Sequence, residues 1–382
     1  MECVAVIHGI PVYSDKGSAD IINNRVVFGD GSWCDVATGQ SDNRGPGQIR
    51  IGGTPEDAEA QEVITRGPKL YEADSLELQG LTGDASVEPY DGVGIEVTIT
   101  GPKSAVEAIS VQSRNGILVI SEERQPGVRV RSITTQSSRR RRSFLRGAFS
   151  GSISLSIVDG NQAASVAVKV PRETPITVEN DFGSTAIGDV CGRLTVDATG
   201  SGSVTAGRMG SVDLQTRSIG SIRVADANGS ATVRSSGSGN ITVGGSVSSL
   251  DAQATSVGSI RVTSVDGSAA IRSSGSGSVH VDGGSVTRLD AKAISIGKIT
   301  VAQVNGPATV RSSGSGNITV GSGSIDMFDV SAVSIGKVTF HGTAQRAKLR
   351  SSGSGSIVVD HVVEQPDQRA TSIGKIHVRH VG

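Results

Sequence analysis

Apolar and polar positions alternate in short, regular runs over residues 200–382. The pairs Ile222/Val224, Ile241/Val243, Ile260/Val262, Val279/Val281, Ile299/Val301, Ile318/Val320, Val338/Phe340, Ile357/Val359 and Ile376/Val378 each begin two residues after a glycine. A period of two in β-branched residues predicts strands, and the runs are too short for helices. The shared glycines are Gly202, Gly220, Gly239, Gly258, Gly277, Gly297, Gly316, Gly336, Gly355 and Gly374, at steps of 18 to 20 residues. A unit of about 19 residues repeated ten times predicts a β-solenoid. Its coils stack at about 4.8 Å. The paired residues should point inward as apolar ladders. Val233, Ala252, Ile271, Ala291, Val310, Val330 and Leu349 form a second inward column that mixes large and small.

Two motifs alternate within this repeat. RSSGSGNITV occurs at 234–243 and again at 311–320, with RSSGSGSVHV at 272–281 and RSSGSGSIVV at 350–359. Between them stand SIGSIRV (218), SVGSIRV (256), SIGKITV (295), SIGKVTF (334) and SIGKIHV (372). The longer period is therefore 38–39 residues. Gly237 and Gly239 are read as corner residues, placed where a Cβ would collide between stacked coils. A phosphate-binding loop is excluded, because neither a P-loop lysine nor a helix follows.

Upstream the pattern is looser. Strands are predicted at 75–79, 84–88, 94–100, 117–121 and within 150–171, with a helical turn between Pro102 and Ile109. Residues 1–53 read as a β-rich segment. Residues 54–69 read as a short helix or linker, capped by Thr54-Pro55 and stopped at Gly67-Pro68. Residues 70–180 then form an irregular solenoid start carrying a basic loop at 124–146, and 181–382 form the regular solenoid. The expected fold is all-β: a single-chain β-solenoid behind a β-rich N-terminal region.

Composition agrees with thin stacked layers. The chain has 382 residues, 51 of them Gly, and aromatics are only 3%. The formal net charge of −1 gives no global pull toward a polyanion. Cys3, Cys34 and Cys191 are too few and scattered for a disulfide framework or a zinc site. The first twenty residues lack the layout of a signal peptide, so a complete chain would be expected in the cytoplasm. No stretch is apolar for long enough to span a membrane as a helix.

Three segments then carry a family resemblance: DGVGIEVTITGPKSAVEAISVQSRNGILVI (91–120), VAVKVPRETPITV (166–178), and GSGSVTAGRMGSVDL (200–214) with the GSGN/GSGS repeats after it. In that order they resemble the putative autotransporter adhesin head GIN-domain family, over roughly residues 70–382. The resemblance implies a β-helical bacterial protein, often exported or at the cell surface, with no catalytic residues. The sequence departs from the family's SGSGD pattern by placing Asn240, Ser278, Asn317 and Ser356 where the Asp would stand. A carboxylate ligand for calcium is absent at those positions, and no cofactor is expected.

Charged columns are the main candidate surface. Asp213, Asp251, Asp290, Asp329 and Asp367 each lie five residues before the serine of a SIG or SVG motif, and Arg234, Arg272, Arg311 and Arg350 each open an RSSGSG motif. Superposed coils put each Arg diagonally between Asp residues on one face. That arrangement reads as a register-keeping charge lattice or as a strip for carboxylated or sulfated glycans. A second candidate is the basic loop, with Arg139, Arg140, Arg141, Arg142 and Arg146 offered to phosphates. The six histidines fall in no metal-ligand spacing, and no GxSxG elbow frames a serine. The leading expectation is a non-enzymatic scaffold or adhesion module making multivalent contacts with a protein or glycan surface, and self-associating through its solenoid ends. The alternatives are a cytoplasmic self-associating or polyanion-binding scaffold, and a glycan-active β-helix enzyme.

Overall fold

The computed structural model describes residues 62–123, 163–180 and 183–382, together with strands between residues 2 and 51. The chain divides into two compact units. In the first, Glu2–Ile7, Ile10–Ser14 and Ile49–Ile51 form a three-stranded sheet, and Ala19–Ile22, Arg25–Phe28, Trp33–Asp35 and Ser41–Asp42 form a four-stranded one. The basic loop (Arg139–Arg142 and Arg146) lies outside the described residues, as does 150–160.

The second unit is a β-solenoid, with about 11 turns at a spacing of about 19 residues. Each regular coil contributes a stretch of strand to each of two parallel ladders, and in some coils one long strand, such as Ile241–Ala254, serves both. The first face runs through Leu194–Ala198, Val212–Thr216, Ser230–Ser235 and the matching strands as far as Asp367–Thr371. The second face runs through Val204–Met209, Ile222–Ala227 and their successors as far as Lys375–Val381. A short third side closes the coil, where Val247 pairs with Val265 and Val286 with Val304. The irregular start holds the antiparallel pairings, such as Glu96–Thr100 against Ser165–Lys169 and Ile109–Arg114 against Ile117–Glu122.

The helical turn sits at Lys103–Ala108 as expected. Residues 54–69, expected as a short helix or linker, lie partly outside the described residues, and where they are described the helix is corrected to the strand Val63–Tyr71. Helix-stop residues at Gly67-Pro68 are compatible with an exposed strand that pairs along one side with Ile95–Pro102. Thr65 and Thr100 meet across that pairing through their hydroxyls at 3.2 Å.

The interior shows why the period is two coils long. Beside the Val233 column runs another inward column: Ala231, Leu250, Ala269, Leu289, Ala308, Phe328 and Ala347, all buried. Where one column is large the other is small: Ala231/Val233, Leu250/Ala252, Ala269/Ile271, Leu289/Ala291, Ala308/Val310, Ala347/Leu349. Those six layers fill a similar volume, as close packing demands; at Phe328/Val330 both positions are large. Phe328, between Ala308 and Ala347, uses the spare room and meets Phe340 of the second face at 5.0 Å between ring centroids.

A third buried position completes the alternation. Ser235, Ser273, Ser312 and Ser351 are fully buried in the RSSGSG coils, and Ala254, Ala293 and Ala332 take that place in the coils between them. Each serine hydroxyl donates to the carbonyl oxygen of its own corner glycine, at 3.3 Å to Gly239, 3.0 Å to Gly277, and 2.9 Å to Gly316 and Gly355. The corner glycines themselves are dictated by close approach. A Cβ on Gly239 would fall within 3.0 Å of the Gly220 carbonyl oxygen, and the same clash recurs up the column to Gly374.

Candidate functional site

The first face carries the predicted charge columns in the predicted register. Asp213, Thr232, Asp251, Ala270, Asp290, Thr309 and Asp329 stack in one outward column. Gln215, Arg234, Gln253, Arg272, Lys292, Arg311, Ser331 and Arg350 stack in the next. Residues two apart on a strand share a face, so each Arg reaches toward carboxylates one coil above and below.

The lattice closes at its ends and stays open in the middle. Arg234 lies 3.7 Å from Asp213 and 3.8 Å from Asp251, and Arg350 lies 4.0 Å from Asp367. Among the described residues Arg272 and Arg311 have no carboxylate within 4.0 Å, and neither has Arg288, which sequence reasoning missed. Arg288 was overlooked because it stands outside both repeating motifs, paired with Ser268 at the start of its strand.

These three cations line a continuous open trough. One hollow of about 390 Å³ is bounded by Thr232, Asp251, Ala270, Arg272, Arg288 and Asp290, among others. A second, of about 340 Å³, shares Arg288 and Asp290 and continues past Thr309 and Arg311 to Asp329. The trough crosses six strands of the first face, about 24 Å at the ordinary strand spacing. Its floor is low at Ala270, the small outward residue between Asp251 and Asp290. Its walls offer guanidinium donors, carboxylate acceptors and threonine hydroxyls.

The second face is organised differently. Arg223, Thr242, Arg261, His280, Thr300, Thr319 and Thr339 stack as an outward column. Arg261 pairs with Asp282, which raises the already high Arg261 pKa through a hydrogen bond and charge. His280 is held below its ordinary range, first by partial burial and then by the nearby Lys298 charge. No group of three His, Cys, Asp or Glu side chains able to hold a metal occurs among the described residues. No described helix is long and apolar enough to cross a membrane.

No protein-family description and no curated protein matches the chain. Among solved structures it is similar to a "putative adhesin" from Bacteroides fragilis at 14% identity and a TM-score of 0.32, covering 84% of this chain and 98% of that one. It is likewise similar to a "putative adhesin" from Parabacteroides merdae at 12% identity and a TM-score of 0.33, covering 83% and 96%. A third, a "putative lipid binding protein" from Parabacteroides distasonis, has 15% identity and a TM-score of 0.25, covering 84% and 96%. The fold is established by the strand ladder of this chain, and the site is read from its own geometry.

Proposed function

We propose that this chain is a non-enzymatic interaction module of the adhesin type, akin to the GIN-domain proteins, that binds an extended, carboxylate-bearing glycan along the trough of the first face. The observation that carries the proposal is the trio Arg272, Arg288 and Arg311, which stand in one trough without a carboxylate within 4.0 Å, while Arg234 and Arg350 beyond it are paired. Guanidinium groups bind carboxylates with two parallel hydrogen bonds. Asp290 and Asp329 accept from sugar hydroxyls between them. Each contact is weak in solvent, so affinity comes from engaging several coils of a rigid strip at once. A glycan of this kind is met outside the cell, and an exported or surface location belongs to the proposal.

The test is binding of polygalacturonate and of its neutral methyl ester to the purified chain. Expected are binding of the acid form only, weakening with salt, and a loss of about tenfold or more in Arg272→Gln/Arg288→Gln/Arg311→Gln. Equal binding by that variant would overturn the assignment. Release of shortened oligosaccharides during the incubation would overturn the non-enzymatic reading.

A further inference from the structure

The corner joining the two faces carries a second surface that the charge lattice does not explain. In the RSSGSG coils the residue before the corner glycine is Ser238, Ser276, Ser315 or Ser354. In the intervening coils it is Ile219, Val257, Ile296, Ile335 or Ile373, and each of these is between 66% and 77% exposed. Ile294 and Val333 stand two residues earlier and are also exposed. Single exposed aliphatics are ordinary on a protein surface, but here they form one straight row. The row repeats every second coil, about 9.6 Å, over roughly 38 Å. Nothing in the interior requires it, since serine fills the same corner position in alternate coils.

Charge points to what the row meets. Two residues beyond Ile296, Ile335 and Ile373 stand Lys298, Lys337 and Lys375, which have no carboxylate within 4.0 Å among the described residues. The corner segments 292–301, 311–320, 331–340, 350–359 and 369–378 contain no Asp or Glu at all. On the other flank, Lys292 and Arg369 continue the basic margin. A straight convex row of aliphatics between basic margins presents apolar tips to an acyl boundary and cations to the headgroups above it. A protein partner would instead need a groove matched to the row. A fluid bilayer needs only negative charge and a flat surface.

We infer that this corner, over residues 292–375, docks on the surface of an anionic lipid bilayer, with Ile296, Ile335 and Ile373 as shallow apolar contacts and Lys298, Lys337 and Lys375 as headgroup contacts. Docking through the corner leaves the trough of the first face on a different side of the coil. The two surfaces rest on different residues and can be tested apart.

The test is co-sedimentation of the full chain with vesicles of phosphatidylcholine alone or of equal parts phosphatidylcholine and phosphatidylglycerol. The variants copy residues the repeat already uses, so the fold is preserved. Ile296→Ser/Ile335→Ser/Ile373→Ser takes the serine of the RSSGSG corners, and Lys298→Ser/Lys337→Ser/Lys375→Ser takes the serine of Ser221 and Ser259. Expected are partition onto the anionic vesicles only, a drop of about tenfold or more for the isoleucine variant, and roughly a hundredfold for the lysine variant, at about fivefold per lysine. No partition of the unmodified chain, or undiminished partition of the isoleucine variant, would overturn the inference. So would a dimer in sedimentation velocity that the isoleucine variant abolishes, which would give the row to a second copy of the chain.

Discussion

The RSSGSG coils and the S(I/V)G coils follow one backbone path but fill it differently, inside and out. Inside, an RSSGSG coil places Ala, a larger aliphatic and a buried Ser where its neighbour places Leu, Ala and Ala or, in one coil, Phe, Val and Ala. Outside, it places Ser on the corner where its neighbour places Ile or Val. The inner alternation has a packing cause, because the two first-face positions of a coil share one layer's volume, and in six of the seven coils a large residue at one is balanced by a small one at the other. The outer alternation has none, because the corner side chains touch solvent. The same two-coil period thus has two separable origins, one serving stability and the other surface contact.

The most damaging change should strike what both coil types share. Gly239→Val pushes a side chain onto the Gly220 carbonyl, with no open space to relax into. We expect a loss of about 3 kcal/mol or more in denaturant unfolding, since displaced backbone costs more than ordinary overpacking. Stability unaltered by this change would remove the corner from the account.

Leu250→Ala probes the inner alternation. It should cost about 2–5 kcal/mol by leaving a cavity between Ala231 and Ala269. Adding Ala252→Leu restores the volume within the coil and sets the new side chain between Val233 and Ile271, much as Val330 sits between Val310 and Leu349. Unfolding of the double variant should show partial rescue. No rescue would mean that alternation between coils, not volume per coil, sets the pattern.

Ser273→Ala makes an RSSGSG coil resemble its neighbour at the third buried position. The Gly277 carbonyl would lose its 3.0 Å donor, costing about 1 kcal/mol in thermal unfolding. A variant as stable as the parent would show the buried serines to be dispensable.

The smallest effect concerns His280. Its pKa is lowered by burial and by Lys298, with Arg261 adding to this and Asp282 opposing it. The neutral ring is therefore favoured in the folded state. Its contribution is fully present above the unfolded value of about 6.5 and is lost as pH falls through the lower folded value. His280→Thr, which copies Thr300, should flatten the melting temperature between pH 7 and the acid side of that window. An unchanged slope would mean that His280 titrates as it does in an unfolded chain.

Much of this architecture could be read from residues alone, for identifiable reasons. The corner glycines and the Ile241/Val243 ladder are both periodic and chemically distinctive, so the solenoid, its register and the Asp/Arg columns follow from them. The Ala231 column was missed because alternating Ala with Leu dilutes an apolar signal. Ser235 and its equivalents were hidden within a run of turn-type residues, where only the backbone shows that the second serine of RSS faces inward. Cap and stop residues suggested a helix before Gly67-Pro68, but pairing with Ile95–Pro102 draws Val63–Tyr71 into a strand. The open part of the trough depends on which arginines find a carboxylate within reach, and that is set by side-chain geometry beyond the register.

The separation of inner from outer cause is tested most directly by calorimetric unfolding of Ile296→Ser/Ile335→Ser/Ile373→Ser beside Leu250→Ala. The corner variant should unfold within about 0.5 kcal/mol per site of the parent, as surface changes do, while Leu250→Ala loses its full 2–5 kcal/mol or so. A corner variant as destabilised as Leu250→Ala would contradict the account, because the exposed row would then be part of the packing and not a surface held out for a partner.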